Sequence, residues 1–145
     1  MINTLRLLVT GSRDWTDRAA MRDALATAWR DLQPGPIVLV HGAAEGADLM
    51  AAEIWTNGGL PDEPHPADWD ICRPECDHPP RYRRDGTQYC QAAGGYRNQE
   101  MVDAGADLLL AFPMPGSRGT WDCLRRAKIQ RIPWRVIEVG STLAA

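Results

Sequence analysis

Apolar residues fall into short unbroken runs, separated by stretches where they recur every third or fourth position. The first run, "LRLLVT", predicts a buried strand from Leu5 to Thr10 that enters a turn at Gly11, Ser12 and Arg13. Thr16 is a candidate N-cap. Met21, Ala24, Leu25, Ala28 and Leu32 then keep helical spacing until "QPGP" breaks it. The cycle repeats with "PIVLV" as a strand, "HGAAEGAD" as a turn and "LMAAEIWTNGG" as a helix closed by glycines. "PDEPHPADW" carries three prolines, so any strand there is short or at an edge. Further on, "RNQEMVDAG" predicts a short helix starting at Asn98 and ending at Gly105. "ADLLLAF" predicts a strand, "PMPGSRGT" a turn, "WDCLRRAKIQ" a helix and "WRVIEV" the last strand, with "GSTLAA" left as a frayed tail.

Strands alternating with helices at this spacing imply right-handed crossovers and a mostly parallel sheet covered on both faces. The expected class is α/β, a three-layer Rossmann-like fold. The 145 residues suit one domain, 1–145, and 44% apolar with 24% charged residues is ordinary for a globular chain. A net charge of −3 argues against a general polyanion binder, so any basic patch must be local. No apolar run approaches the roughly 18 residues of a membrane span. The N-terminus lacks the long apolar region of a signal peptide, so the expected location is the cytoplasm. In that reducing compartment, clustered cysteines suggest a metal site before disulfides.

In an open parallel sheet, ligands bind beyond the carboxyl ends of the strands, where turns expose backbone N–H groups and helix N-termini favour anions. "TGSRDW", "HGAAEGAD" and "PMPGSRGT" all fall there, each with glycines that let backbone approach a ligand. Tight turns also need glycine for their own sake. None of the three is a lysine-bearing phosphate loop or a complete G-x-G-x-x-G fingerprint, so a standard ATPase or dinucleotide dehydrogenase is unsupported. Arg13 and Arg118 lie in such turns and Arg97 precedes the expected helix start, so the three could converge on an anion.

The ordered set "VTGSRDW", "VLVHGAAEGADLMAAEIW", "HPADW", "YRNQEMVDAGADLLLAF" and "GSRGTWDCLRRA" resembles the SLOG superfamily. Within it, the chain looks like the small stand-alone YspA-like proteins common in actinobacteria and their phages. The superfamily is similar in fold to DNA-processing protein A and to the Lonely guy phosphoribohydrolases. The resemblance implies a pocket for a nucleotide or a nucleotide-derived ligand such as an ADP-ribose relative. Its pocket positions would be Gly11, Ser12, Arg13, Gly42, Gly46, Asp48, Arg97, Asn98, Gly116, Ser117, Gly119 and Thr120. The phosphoribohydrolases add a P-G-G-x-G-T-x-x-E motif with a catalytic glutamate; against "PGSRGTWDC" that position is Cys123. A thiol cannot replace a carboxylate in such chemistry. Asp122 is one residue, about 100°, around the helix and is expected to point elsewhere. Asp14, Glu45 and Asp48 remain as acids that could equally cap helices, and Cys123 reads as a buried helix residue.

By the same resemblance, residues 70–93 are an insertion within the domain. It holds Cys72, Cys76, His78 and Cys90 in a C-x3-C-x-H-x11-C spacing, the donor set of a tetrahedral Cys3His site, with His65 as an alternative fourth ligand. Its prolines, Gly86 and scattered charges leave little apolar surface, so ordering it calls for a staple, expected to be structural zinc. His41 ends a strand and reads as a pocket or core residue. Arg73, Arg81, Arg83 and Arg84 alternate with Tyr82 and Tyr89; in an acidic chain they favour a small phosphate-bearing ligand over duplex DNA. The leading expectation is therefore a protein that senses or sequesters a nucleotide derivative. A phosphoribohydrolase-type enzyme and a nucleic-acid-binding module are the alternatives; nucleic acid is the less expected partner, no membrane is expected, and a homodimer is compatible.

Overall fold

The structure is a computed structural model and describes residues 3–141, so the end of the expected tail, 142–145, lies outside the described residues. Its order is β1 (Leu5–Gly11), α1 (Arg18–Asp31), β2 (Ile37–His41), α2 (Ala47–Asn57), β3 (Asp62–Pro64), β4 (Arg81–Tyr82), β5 (Gln88–Tyr89), α3 (Ala93–Asp103), β6 (Leu108–Phe112), α4 (Arg118–Ile129) and β7 (Trp134–Val136). Five strands form one sheet in the order β3-β2-β1-β6-β7, every pair parallel; β4 and β5 form a separate antiparallel hairpin. This is the Rossmann-like three-layer arrangement that the strand–helix alternation predicts.

The period of two along the central strands makes the layers. Leu7 and Val9 of β1, with Leu108, Leu110 and Phe112 of β6, turn to one face and pack with Met21, Ala24 and Leu25 of α1 and Ala47, Ala51 and Trp55 of α2. Leu8, Leu109 and Ala111 turn to the other face against Met101 and Val102 of α3 and Cys123, Leu124 and Ala127 of α4. Strands buried on both sides need no polar alternation, which explains why "LRLLVT" and "LLLAF" read as continuous apolar runs. Trp15, in the turn after β1, is also core, its ring edge-on to Phe112 at 5.3 Å between centroids.

Two local expectations are corrected. Asp17, not Thr16, caps α1, its carboxylate accepting from the Ala20 amide at 3.0 Å. α3 begins at Ala93 rather than Asn98. Gly94 and Gly95 lie inside its first turn because Gly94 sits against the indole of Trp69, where a Cβ would come within 3.0 Å of the ring. Among the described residues, no helix is long and apolar enough to cross a membrane.

Candidate functional site

Beyond the carboxyl ends of β1, β2 and β6, the turns after these strands and the first turns of α3 enclose a cavity of about 830 Å³. α1 and α2 cover one face of the sheet, whereas α3 and α4 cover the other. The cavity therefore lies where the winding reverses, the usual ligand position in such sheets. Of the sequence-predicted positions, Gly11, Ser12 and Arg13 line it from the first turn, Asp48 from α2, Arg97 and Asn98 from α3, and Gly116, Ser117, Gly119 and Thr120 from the turn before and start of α4.

Gly42 and Gly46 lie behind this wall and hold it together. A Cβ on Gly42 would enter the guanidinium of Arg97; one on Gly46, whose φ is +81°, would strike the backbone carbonyls of Ser12 and Arg13. The absent side chains let two turns and an arginine close on one another. Arg97 is correspondingly committed to the protein: Nη1 donates to the carbonyls of Gly42 and His65, and Nε donates to Asn98 Oδ1 at 3.0 Å. Asn98 is buried and passes the connection on, its Nδ2 donating to Asp122 Oδ2 at 3.0 Å and to the Gly119 carbonyl at 3.3 Å. Arg13 and Arg118 stand at the mouth of the cavity with exposed side chains. Arg13 lies 5.6 Å over the ring of Trp69.

The start of α4 has no side-chain cap, because the Ser117 hydroxyl turns back to accept from the Met114 amide at 3.2 Å. The Arg118 amide donates to the Gly116 carbonyl at 2.9 Å, which leaves the Gly119 and Thr120 amides and the positive end of a 12-residue helix beside the cavity without a side-chain cap. On the same helix, Asp122 lines the cavity and Cys123 does not, which corrects the expected direction of Asp122. Thr120, Cys123, Leu124 and Ala127 form the buried stripe, so the residue before Cys123 must face α3. Burial would raise the pKa of Asp122, but hydrogen bonds from Arg126, Asn98 and Arg125 outweigh it and hold the carboxyl below its ordinary value. Burial pushes the Cys123 thiol up to about 12, leaving it protonated and unreactive, as a small core residue should be. Asp48 is also shifted upward, to about 6, by burial that the nearby Arg97 only partly offsets. Of the other acids considered, Asp14 lines the cavity, whereas Glu45 is exposed and does not. His41 is core: Nε2 meets Asp62 at 2.8 Å and Nδ1 accepts from the Ala43 amide.

The segment 70–93, expected to be an insertion, meets the cavity only at its end, through Gln91 and Ala92. The donor atoms of Cys72, Cys76, His78 and Cys90 all lie within 4.8 Å of one another, so this cluster could hold a metal ion. His65 is elsewhere, bonded to Glu63 at 2.6 Å. The separation of 3.7 Å from Cys76 Sγ to Cys90 Sγ matches the edge of about 3.8 Å that tetrahedral metal–sulfur bonds of about 2.3 Å require. His78 Nδ1 lies 3.0 Å from the Pro79 carbonyl and donates to it, so Nε2, 3.7 Å from Cys90 Sγ, is the nitrogen that could turn a lone pair to a metal. The Cys72 thiol is pushed up to about 11, first through its contact with Cys90. Cys76 is drawn down to about 7, first through its hydrogen bond with the Tyr96 hydroxyl at 3.3 Å.

Among the residues the sequence reading did not place at the site, Trp69, Tyr96 and Asp122 line it. Tyr96 joins the cluster to α3 and carries Arg73 over its ring at 4.4 Å; Arg73 in turn pairs with Glu100. Trp69 accepts the Cys90 amide on its carbonyl at 2.6 Å while its ring forms cavity wall.

A 40% identical relative, Gene 61 protein of Mycobacterium phage D29, aligns over 141 residues, covering 93% of this chain and 96% of that protein. The profile of the YspA, cpYpsA-related SLOG family matches residues 5–71. The chain belongs to the SLOG superfamily. Among solved structures, DNA processing protein A (DprA) from Streptococcus pneumoniae superposes with a TM-score of 0.66 at 15% identity, over 92% of this chain. That likeness is one of fold, and the SLOG chain described here spans about half the length of DprA.

Proposed function

We propose that this SLOG protein binds a nucleotide or a nucleotide-derived ligand, such as an ADP-ribose relative, in the cavity at the strand carboxyl ends. The observation that carries the reading is the uncapped start of α4, opening into a cavity flanked by Arg13 and Arg118. Amides at a helix N-terminus with an adjacent guanidinium make a site for phosphate oxygens. Sensing or sequestering such a ligand needs no reacting group. The cluster of Cys72, Cys76, His78 and Cys90 would hold structural zinc: four protein donors close the coordination sphere, and in a reducing cytoplasm the thiols stay available to it.

Calorimetric titration with AMP, ADP and ADP-ribose tests this. At least one should bind with a micromolar constant, and Arg118→Ala should weaken it about tenfold or more. Failure of all three at millimolar concentration would overturn the reading.

Asp122 favours one second reading, a phosphoribohydrolase-type enzyme, because a carboxylate does face the cavity beside the Gly119–Thr120 pair. Its network of Asn98, Arg125 and Arg126 keeps it ionised, suited to stabilising positive charge but not to donating a proton at neutral pH. Release of free base from these nucleotides, abolished by Asp122→Asn, would decide for it.

A further inference from the structure

Among the described residues, two buried side-chain oxygens have no hydrogen-bond partner, Asp48 Oδ1 and Thr120 Oγ1. Both residues line the same cavity, although they come from helices packed on opposite faces of the sheet. Asp48 is 5% exposed and Thr120 2%. Buried polar atoms are nearly always partnered, and leaving one unpaired is costly, so two such atoms on one cavity mark where a ligand completes the structure.

The two places differ in what they can accept. Asp48 Oδ2 receives the amides of Gly42 at 3.0 Å and Ala44 at 3.4 Å, which fixes the carboxylate and leaves Oδ1 able only to accept while ionised. A phosphate there would meet like charge. Thr120 instead lies in the first turn of α4, whose uncapped amides and neighbouring Arg118 favour an anion. A ligand that satisfies both ends carries an anionic group at α4 and a neutral hydrogen-bond donor at Asp48. In a nucleotide, the donors nearest the phosphate are the ribose hydroxyls.

We propose that Asp48 is a specificity-determining residue that accepts a hydrogen bond from a ribose hydroxyl, so that the cavity selects ribonucleotides over their deoxy counterparts. This rests on the nucleotide-binding reading above and sharpens it from a phosphate site to a ribosyl-phosphate site. A site built around a buried acceptor rejects the analogue that lacks the donor, because the acceptor is then sealed in unpaired.

The test is calorimetric titration of AMP, 2′-deoxy-AMP and 3′-deoxy-AMP into the wild type and Asp48→Asn. The asparagine keeps an acceptor for the Gly42 and Ala44 amides, and the unfolding midpoint reports that the variant is folded. For the wild type, loss of one hydroxyl should cost at least about tenfold in Kd. For Asp48→Asn, AMP should weaken and the deoxy penalty should shrink to about threefold or less. Wild type binding both deoxy analogues as tightly as AMP would overturn the proposal while leaving the nucleotide-binding reading intact; so would an unchanged penalty in Asp48→Asn. Binding of none of the three would remove both.

Discussion

β1 and β6 bury Leu7, Leu8, Val9, Leu109 and Leu110 completely, whereas from Asp70 to Tyr89 not one residue is buried. The first borders the cavity through Thr10 and Gly11 at the end of β1 and the second only through the residues that flank it, Trp69, Gln91 and Ala92, and their order has different sources. The sheet-end turns are held by what lies beneath them: apolar burial fixes the strands, and Gly42 and Gly46 let the turns lock against Arg97 and the Ser12–Arg13 backbone. The insertion has a two-residue-per-strand hairpin and a few exposed ion pairs, such as Arg83 with Asp70, which contribute little in water. Its one dense point is the Cys3His cluster. A metal ion held there would order this segment without a core of its own.

Metal removal should therefore break the comparison most visibly. Chelation, or Cys76→Ser with Cys90→Ser, should raise amide hydrogen exchange at least about tenfold through residues 72–97, including the first turn of α3, while β1 and β6 keep their protection. Exchange that is unchanged in the insertion, or that rises equally in the sheet, would show that the two regions are not ordered separately.

The sheet side can be probed through Asp48. Its carboxyl titrates near 6 in the folded protein against an ordinary 3.8, because burial disfavours the charge. Between those values the folded state holds the extra proton, so Asp48 supports folding most below about pH 4, and that support is lost as pH rises through 6. Asp48→Asn removes the loss. Its stability relative to wild type should grow by roughly 2–3 kcal/mol between pH 4 and pH 7, and then stay level. Urea unfolding across that range checks it; a difference that does not change with pH would mean that Asp48 is better solvated than its burial implies.

Much of this was legible in the chain. Runs such as "LRLLVT" and "LLLAF" declare doubly covered strands, and glycine-bearing turns after them mark the cavity rim, because both follow from local geometry. The Cys3His set was legible from spacing, since ligand chemistry restricts which residues can serve. What was hidden depends on phase and on partners distant in sequence. Asp122 and Cys123 differ by about 100° around α4, and only the buried stripe of Thr120, Cys123, Leu124 and Ala127 decides which one faces the cavity. The start of α3 was missed because "AAGG" reads as a helix breaker. The glycines are accommodated because Trp69, some 25 residues upstream, packs on Gly94.

The smallest expected effect probes the join between the regions. Tyr96 stands in α3, lines the cavity and meets Cys76 Sγ at 3.3 Å. Its hydroxyl is pushed up to about 12, first by that contact, so it keeps its proton and donates to the sulfur. Tyr96→Phe keeps the ring under Arg73 and removes only this donor. An outer-shell hydrogen bond of this kind typically accounts for about tenfold in metal affinity, and a competition titration with a zinc-selective chelator should find a loss of that order. Because binding linkages are reciprocal, zinc should then also sharpen nucleotide binding less in the variant than in the wild type. Equal zinc affinity in the two proteins would mean that the Tyr96 hydroxyl does not support the cluster, and that the wall and the cavity share a boundary without sharing free energy through it.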